Sequence, residues 1–195
     1  MGGGVGVTPF ASILREILHV FEADVRGSRG GESGSGGGKR LRRASTSSIT
    51  VAERRTKLKR VHFLWVTRSQ ASLSWFGSEL RELNRLDVRG RISIAVHLTS
   101  VKSKFLSAVV GAVHAETGRD VVSGAPGTTR FLTKFGRPDW EEVFKGVRDS
   151  ERARRGAGYD GPVDVGVFSC SNRVVEGILA AKCKKYGWAH VAEVF

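Results

Sequence analysis

The stretch Gly2-Gly3-Gly4-Val5-Gly6-Val7-Thr8-Pro9-Phe10 has the layout of a phosphate-binding turn. Glycines reach dihedrals closed to other residues and let the backbone approach a ligand closely. A helix start directly behind them offers unpaired N–H groups and a positive dipole end to an anion. Thr8 suits the N-cap, and Pro9 the first helical position, where no N–H is needed. In a nucleotide-binding sheet such a turn follows a strand. Only Met1 stands ahead of it, so the expectation is a fragment with its first strand truncated.

Behind the turn, Phe10, Ile13, Leu14, Ile17, Leu18 and Phe21 recur at helical period, which predicts a helix over 9–25. The same pattern predicts helices over 72–86, on Leu73, Phe76, Leu80, Leu83 and Leu86, and over 104–116, on Phe105, Leu106, Val109, Val110 and Val113. Pro138 opens a short helix bearing Trp140, Val143 and Phe144, and a last helix covers 172–186. Strands are predicted at 61–67 (VHFLWVT), 91–98 (RISIAVHL), 163–169 (VDVGVFS) and 188–194 (WAHVAEV). The stretch 118–138, with Gly118, Gly124, Pro126, Gly127 and Gly136, reads as a loop, and 150–161 as a polar linker. Strands alternating with helices predict an α/β fold, a Rossmann-like parallel sheet of 3-2-1-4-5 type with helices on both faces. A truncated central strand predicts a gap, or an improvised pairing, between the strands at 61–67 and 163–169.

The chain has 195 residues, room for one ordinary domain, and a net charge of +13. Residues 26–60 hold eleven Lys/Arg against two Glu, a net of +9, so the remainder carries only +4. This segment lacks periodicity and is rich in Gly, Ser and Arg, so it reads as a disordered basic insertion within the domain. Its alternative is a basic module for nucleic acid or a membrane surface, but charge confined to one segment argues against a nucleic-acid partner. Arg42-Arg43-Ala44-Ser45 within it fits a basophilic-kinase pattern, but such short patterns recur by chance in any Arg/Ser-rich segment, and a solvated charged loop is the favoured reading. Two cysteines, Cys170 and Cys183, make no disulfide framework, and five scattered histidines suggest no metal site. No apolar run is long enough to cross a bilayer.

The order G-x-G-x-G-V-T-P-F differs from the usual dinucleotide G-x-G-x-x-G and resembles the NADP-binding lobe of the ferredoxin-reductase superfamily. Within it, the likeness is to the C-terminal half of NADPH oxidases, the plant-type respiratory burst oxidases and their ferric-reductase relatives. Val61–Gln70 (VHFLWVTRSQ) resembles the strand and arginine that read NADPH, and Leu73–Phe76 the S-x-x-W-F behind it. Leu98-Thr99-Ser100 and Asp120–Gly124 (DVVSG) resemble the plant-type oxidases in particular. Arg130–Trp140 (RFLTKFGRPDW) is similar to F-G-R-P-N-W, Val165–Cys170 (VGVFSC) to a strand ending in Cys-Gly, and Val194-Phe195 to an aromatic chain end. The likeness covers nearly everything outside 26–60 and 150–161.

The resemblance implies that Gly2, Gly4, Val5, Gly6, Thr8 and Pro9 hold the nucleotide phosphates. Arg68 follows a strand where the adenosine ribose would lie, and a guanidinium can fork onto a 2′-phosphate. Arg137 is a second candidate contact, although Gly-Arg-Pro is also a plain helix start. The family gives Cys170 a place beside the nicotinamide, shaping the hydride path without a covalent intermediate. It gives Phe195 the role of an aromatic lid that covers the flavin and yields to nicotinamide. Cys183 reads as a packed core thiol. The family's glycine after the cysteine is replaced by Ser171-Asn172, which sets a Cβ near the dinucleotide. The implied cofactors are NADPH, FAD held mainly by an upstream domain, and haem only in a membrane domain. The implied partners are that flavin domain and those haem-bearing helices of the same full-length membrane protein, with this lobe on the cytoplasmic side. Residues 26–60 would touch an anionic membrane surface. The implied activity is superoxide generation from NADPH. A ferric-chelate reductase is the alternative. The fragment alone would be inactive.

Overall fold

In a computed structural model, residues 2–3, 8–29, 58–68, 70–87, 90–101, 103–120 and 131–194 are described. In chain order they form β1 (Gly2–Gly3), α1 (Thr8–Arg29), β2 (Val61–Thr67), α2 (Ala71–Leu86), β3 (Ile92–Leu98), α3 (Lys104–Thr117), β4 (Phe131–Phe135), α4 (Trp140–Arg155), β5 (Gly166–Ser171), α5 (Arg173–Tyr186) and β6 (Ala189–Val194). The strands make one parallel sheet in the order β4-β3-β2-β1-β5-β6. With β4 set aside, this is the order that the sequence predicts.

Alternation along the strands fixes the faces. Phe63 and Trp65 of β2 and Ile92, Ile94, Val96 and Leu98 of β3 pack with Leu14, Leu18 and Phe21 of α1 and with Leu80 and Leu83 of α2. Gly2 is in register with both Trp65 and Cys170, so these two side chains share that face. Val167, Ser169 and Ser171 turn to the opposite face. There Val167 joins Phe144 of α4, Leu179 and Cys183 of α5, and Trp188. Leu14, Leu18 and Phe21 of the predicted α1 stripe lie in the first core, whereas the stripe predicted for α3 is not a core face: Phe105, Leu106 and Val109 are exposed and, of its five residues, only Val110 is buried.

Four readings are corrected. The stretch 118–138 is not all loop, because 131–135 forms the edge strand β4. Its glycine and proline content hid a five-residue run, FLTKF, which pairs with β3 from Ile94↔Phe131 to Leu98↔Phe135. Buried Asp120 secures β4 by accepting from the Thr133 backbone N–H and, at 3.1 Å, from the Thr133 hydroxyl. The polar linker at 150–161 is helical as far as Arg155, because α4 runs 16 residues from an Asp139 cap that accepts from Glu141 N and Glu142 N. Its polarity is that of a solvent face, with Phe144 as its buried residue. The strand expected at 163–169 runs over 166–171, which carries Cys170 one residue inside the strand end. Residues 26–29, expected within the insertion, are helical as part of α1, which continues to Arg29; residues 30–57 lie outside the described residues.

The sheet centre matches the predicted interruption. β2 and β5 are not paired to each other. Gly2 and Gly3 lie between them, meeting Trp65 and Val66 on one side and Cys170 on the other. Below this two-residue strand, between the starts of β2 and β5, a cleft of about 820 Å³ passes through the sheet from α1 (Phe10, Ile13) to α4 (Val143, Val147). Glu151 of α4 faces one wall, 3.8 Å from Arg60 and 3.5 Å from His62.

Candidate functional site

All strands run the same way, so their carboxyl ends form one edge, where ligands bind in open α/β sheets. The order along it is Gly136-Arg137 after β4, Thr99-Ser100 after β3, Thr67-Arg68 at the end of β2, Gly3 at the end of β1, and Cys170–Asn172 at the end of β5. From Arg137 to Cys170 is four strand spacings, roughly 19 Å at about 4.8 Å each.

The turns are tied to one another through the backbone. Thr99 N–H donates to Thr67 O at 2.8 Å and its hydroxyl donates to the same carbonyl at 3.1 Å. Ser100 N–H donates to Arg68 O at 3.2 Å, and Gly136 N–H to Leu98 O at 2.8 Å. Gly136 has φ of 90°, in the left-handed region that favours glycine, and this turns the chain so that Arg137 follows it at the surface. Arg68 is likewise exposed. Both guanidinium groups are thus carried at one edge by anchored backbone, two strands apart and free of the core.

His97, next to the end of β3, supports this edge from below. It is 5% exposed, and its Nδ1–H donates to Gly136 O at 3.3 Å. Its Nε2 is buried with no partner among the described residues. Burial lowers its pKa to about 4, with Lys134 adding to the effect and the Gly136 bond opposing it.

At the other end, Cys170 is 6% exposed and aligned with Glu193 of β6. Burial pushes its thiol up, and the carboxylates of Glu193 and Glu176 add to that. The group is a protonated thiol at neutral pH, suited to lining a site and not to nucleophilic attack. Cys183 sits in the α4–α5 core and its thiol is also raised by burial. Asn172 caps α5, its side chain accepting from Val174 N and Val175 N at 3.1 Å each. Helix α5 therefore begins at the carboxyl edge, beside the cysteine.

The structure brings together Gly2, Arg68, Arg137 and Cys170 along one edge, and starts α1 at Thr8 and Pro9. Gly4, Val5, Gly6 and Phe195 lie outside the described residues, as does most of the basic segment with Ser45. The sequence reading missed His97, Glu193 and a buried polar group formed by Ser169, Ser171, Glu176 and His190. One signal was present for the last. The face of β5 that turns inward reads Val167, Ser169, Ser171, so an apolar face becomes polar just where the edge begins. Among the described residues there is no group of metal-ligating side chains and no helix long and apolar enough to cross a membrane.

A parallel sheet with a two-residue glycine strand near its centre, a helix that starts at Thr8 and cations at one end of its carboxyl edge defines a Rossmann-like dinucleotide-binding lobe. The chain belongs to the ferric reductase NAD-binding domain family, whose profile matches residues 1–184. It is 31% identical over 199 residues to respiratory burst oxidase homolog protein A of Solanum tuberosum, covering 95% of this chain and 19% of that protein. It is 34% identical over 190 residues to respiratory burst oxidase homolog protein E of Arabidopsis thaliana, covering 90% and 18%. Protein B of Arabidopsis thaliana is 32% identical over 185 residues, with 92% and 18% covered. The chain thus spans about a fifth of the length of these relatives.

Proposed function

We propose that this chain is the NADPH-binding lobe of a respiratory-burst-type NADPH oxidase. NADPH lies across the carboxyl edge, its 2′-phosphate at Arg68 with Arg137 as a second contact. The pyrophosphate meets the turn of Gly2, Gly4, Val5 and Gly6 and the α1 start at Thr8 and Pro9. The nicotinamide lies beside Cys170, with Phe195 as the aromatic that gives way to it. The observation that carries this reading is the order of the groups: exposed arginines at the ends of β2 and β4, the glycine strand in the middle, and a neutral buried thiol on β5.

The chemistry follows from what each part can do. Arg68 offers a planar fork of donors matched to a phosphate, and its exposed head sheds little protein contact on binding. The glycine strand lets the backbone come close to the pyrophosphate, and the helix start adds dipole and N–H groups. Cys170 forms a neutral wall that leaves the hydride donor unmodified. FAD, which an upstream part of the full-length protein would mainly hold, would supply the hydride acceptor and the single-electron chemistry toward haem-bearing membrane helices and oxygen. The lobe sits on the cytoplasmic side, with the basic segment 26–60 against anionic lipid.

The test is anaerobic mixing of the full-length protein with NADPH or NADH, followed by admission of oxygen or a ferric chelate. The reading expects flavin bleaching with NADPH preferred, then superoxide. Bleaching followed by reduction of the ferric chelate alone would assign the alternative acceptor, and absence of bleaching would refute the nucleotide role.

A further inference from the structure

Ser171 stands where the resembling family has glycine, directly after Cys170 at the site edge. Its side chain is not free. The Ser171 hydroxyl donates to Glu176 Oε1 at 2.5 Å, and Ser169, two residues back on the same strand face, donates to Glu176 Oε2 at 2.6 Å. Ser169 Oγ lies 2.8 Å from His190 Nε2. Its single hydrogen is already given to Glu176, so the ring N–H must be the donor to Ser169. His190 Nε2 is also 3.4 Å from Glu176 Oε2. Ser169, Ser171 and Glu176 are 3%, 7% and 6% exposed. Glu176 is in the first turn of α5, where the helix dipole favours a carboxylate. The group joins β5, α5 and β6 on the face opposite Cys170.

We propose that Glu176 is a positioning residue for the dinucleotide site. Strand alternation sends the Ser171 Cβ to the α5 face, and Glu176 then fixes the hydroxyl in the one rotamer that points beneath the sheet. Released from Glu176, the hydroxyl can swing to rotamers that approach the edge where the nicotinamide half lies. A serine thus does the work of a glycine because a buried carboxylate holds it back. The Ser171-Asn172 departure is accommodated by this pair, and the Asn172 side chain is engaged as the α5 cap.

This inference rests on the dinucleotide reading, and a cycle of variants separates the two. In the full chain, NADPH affinity is measured by nucleotide fluorescence and the adenosine half alone is probed with 2′,5′-ADP. Thermal unfolding confirms that each variant is folded. Glu176→Ala should weaken NADPH about tenfold, the size of coupling found between side chains in contact, and leave 2′,5′-ADP unchanged. Ser171→Gly alone should leave both affinities as they are. Glu176→Ala/Ser171→Gly should recover the wild-type affinity for NADPH, a rescue that a purely structural role of Glu176 would not give. If Glu176→Ala does not fold, Glu176→Gln with and without Ser171→Gly carries the same comparison. Equal weakness with and without Ser171→Gly, or wild-type affinity in the Glu176 variants, overturns the proposal. A wild-type chain that binds neither NADPH nor 2′,5′-ADP overturns the dinucleotide reading itself and the proposal with it.

Discussion

His97 makes the stability of this fold steeply dependent on acidity, because only its neutral form is accommodated. Nδ1–H is committed to Gly136 O, so a second proton must go on Nε2, which is buried with no acceptor among the described residues. The folded pKa is about 4 against an ordinary 6.5. A lowered folded pKa means that the unfolded chain binds the proton first, so the contribution is complete above pH 6.5 and drains away as the pH falls toward 4. Those two values give a loss of about 2 kcal/mol by pH 5 and about 3 kcal/mol by pH 4. Other groups titrate over the same range, so the informative quantity is the difference from His97→Gln, which cannot charge. Urea unfolding of both proteins at several values between pH 7.5 and 5 gives that difference. Wild type should lose about 2 kcal/mol more than the variant over this interval. Parallel curves would show that His97 is not buried neutral, and would remove the support assigned to it under the Gly136-Arg137 turn.

Arg68→Ala should weaken NADPH about 10- to 150-fold, the worth of one charge-assisted phosphate bond, and leave NADH nearly unchanged; equal losses in titrations of both would take Arg68 away from the 2′-phosphate. Cys170→Ala in the full-length protein should slow flavin reduction in anaerobic stopped flow without altering 2′,5′-ADP affinity, and an unchanged rate would make the thiol plain packing. Asn172→Ala removes the cap bonds to Val174 N and Val175 N and should cost about 1 kcal/mol, or about 2–4 °C in thermal melting for a chain of this size. Vesicles containing anionic lipid should pellet the chain, and deletion of 31–57 should abolish the pelleting; co-sedimentation that is the same for both would clear the basic segment of a membrane role.

Long amphipathic periods were the legible part of the fold. The α1 face from Phe10 to Phe21, the continuous apolar run of β2 and the alternation in the first half of β3 carry their own signal, because α1 buries one side and β2, at the sheet interior, buries Phe63, Leu64 and Trp65 on both. β4 was illegible because a short edge strand flanked by Gly and Pro looks like the loop around it. Its pairing comes from β3 and from Asp120, thirteen residues away from Thr133. The outer half of α4 was illegible because a helix face in solvent has the composition of a linker. In the site, Arg68, Arg137 and Cys170 were readable as residues that follow or end strands. Glu176, Ser169, Ser171 and His190 were not, since their partnership exists only after β5, α5 and β6 are brought together. His97 reads in sequence as one more polar residue of an alternating strand, and only burial makes it consequential.

Amide hydrogen exchange of the full chain, with and without saturating NADPH, tests the central claim most directly. Binding across the carboxyl edge predicts added protection at Gly3, at the turns of Arg68, Ser100 and Arg137, and at Ser171 and the first turn of α5, with NADPH protecting the Arg68 turn more than NADH does. Protection confined to the opposite edge, around the starts of β2 and β5, or no protection at saturating NADPH, would contradict it.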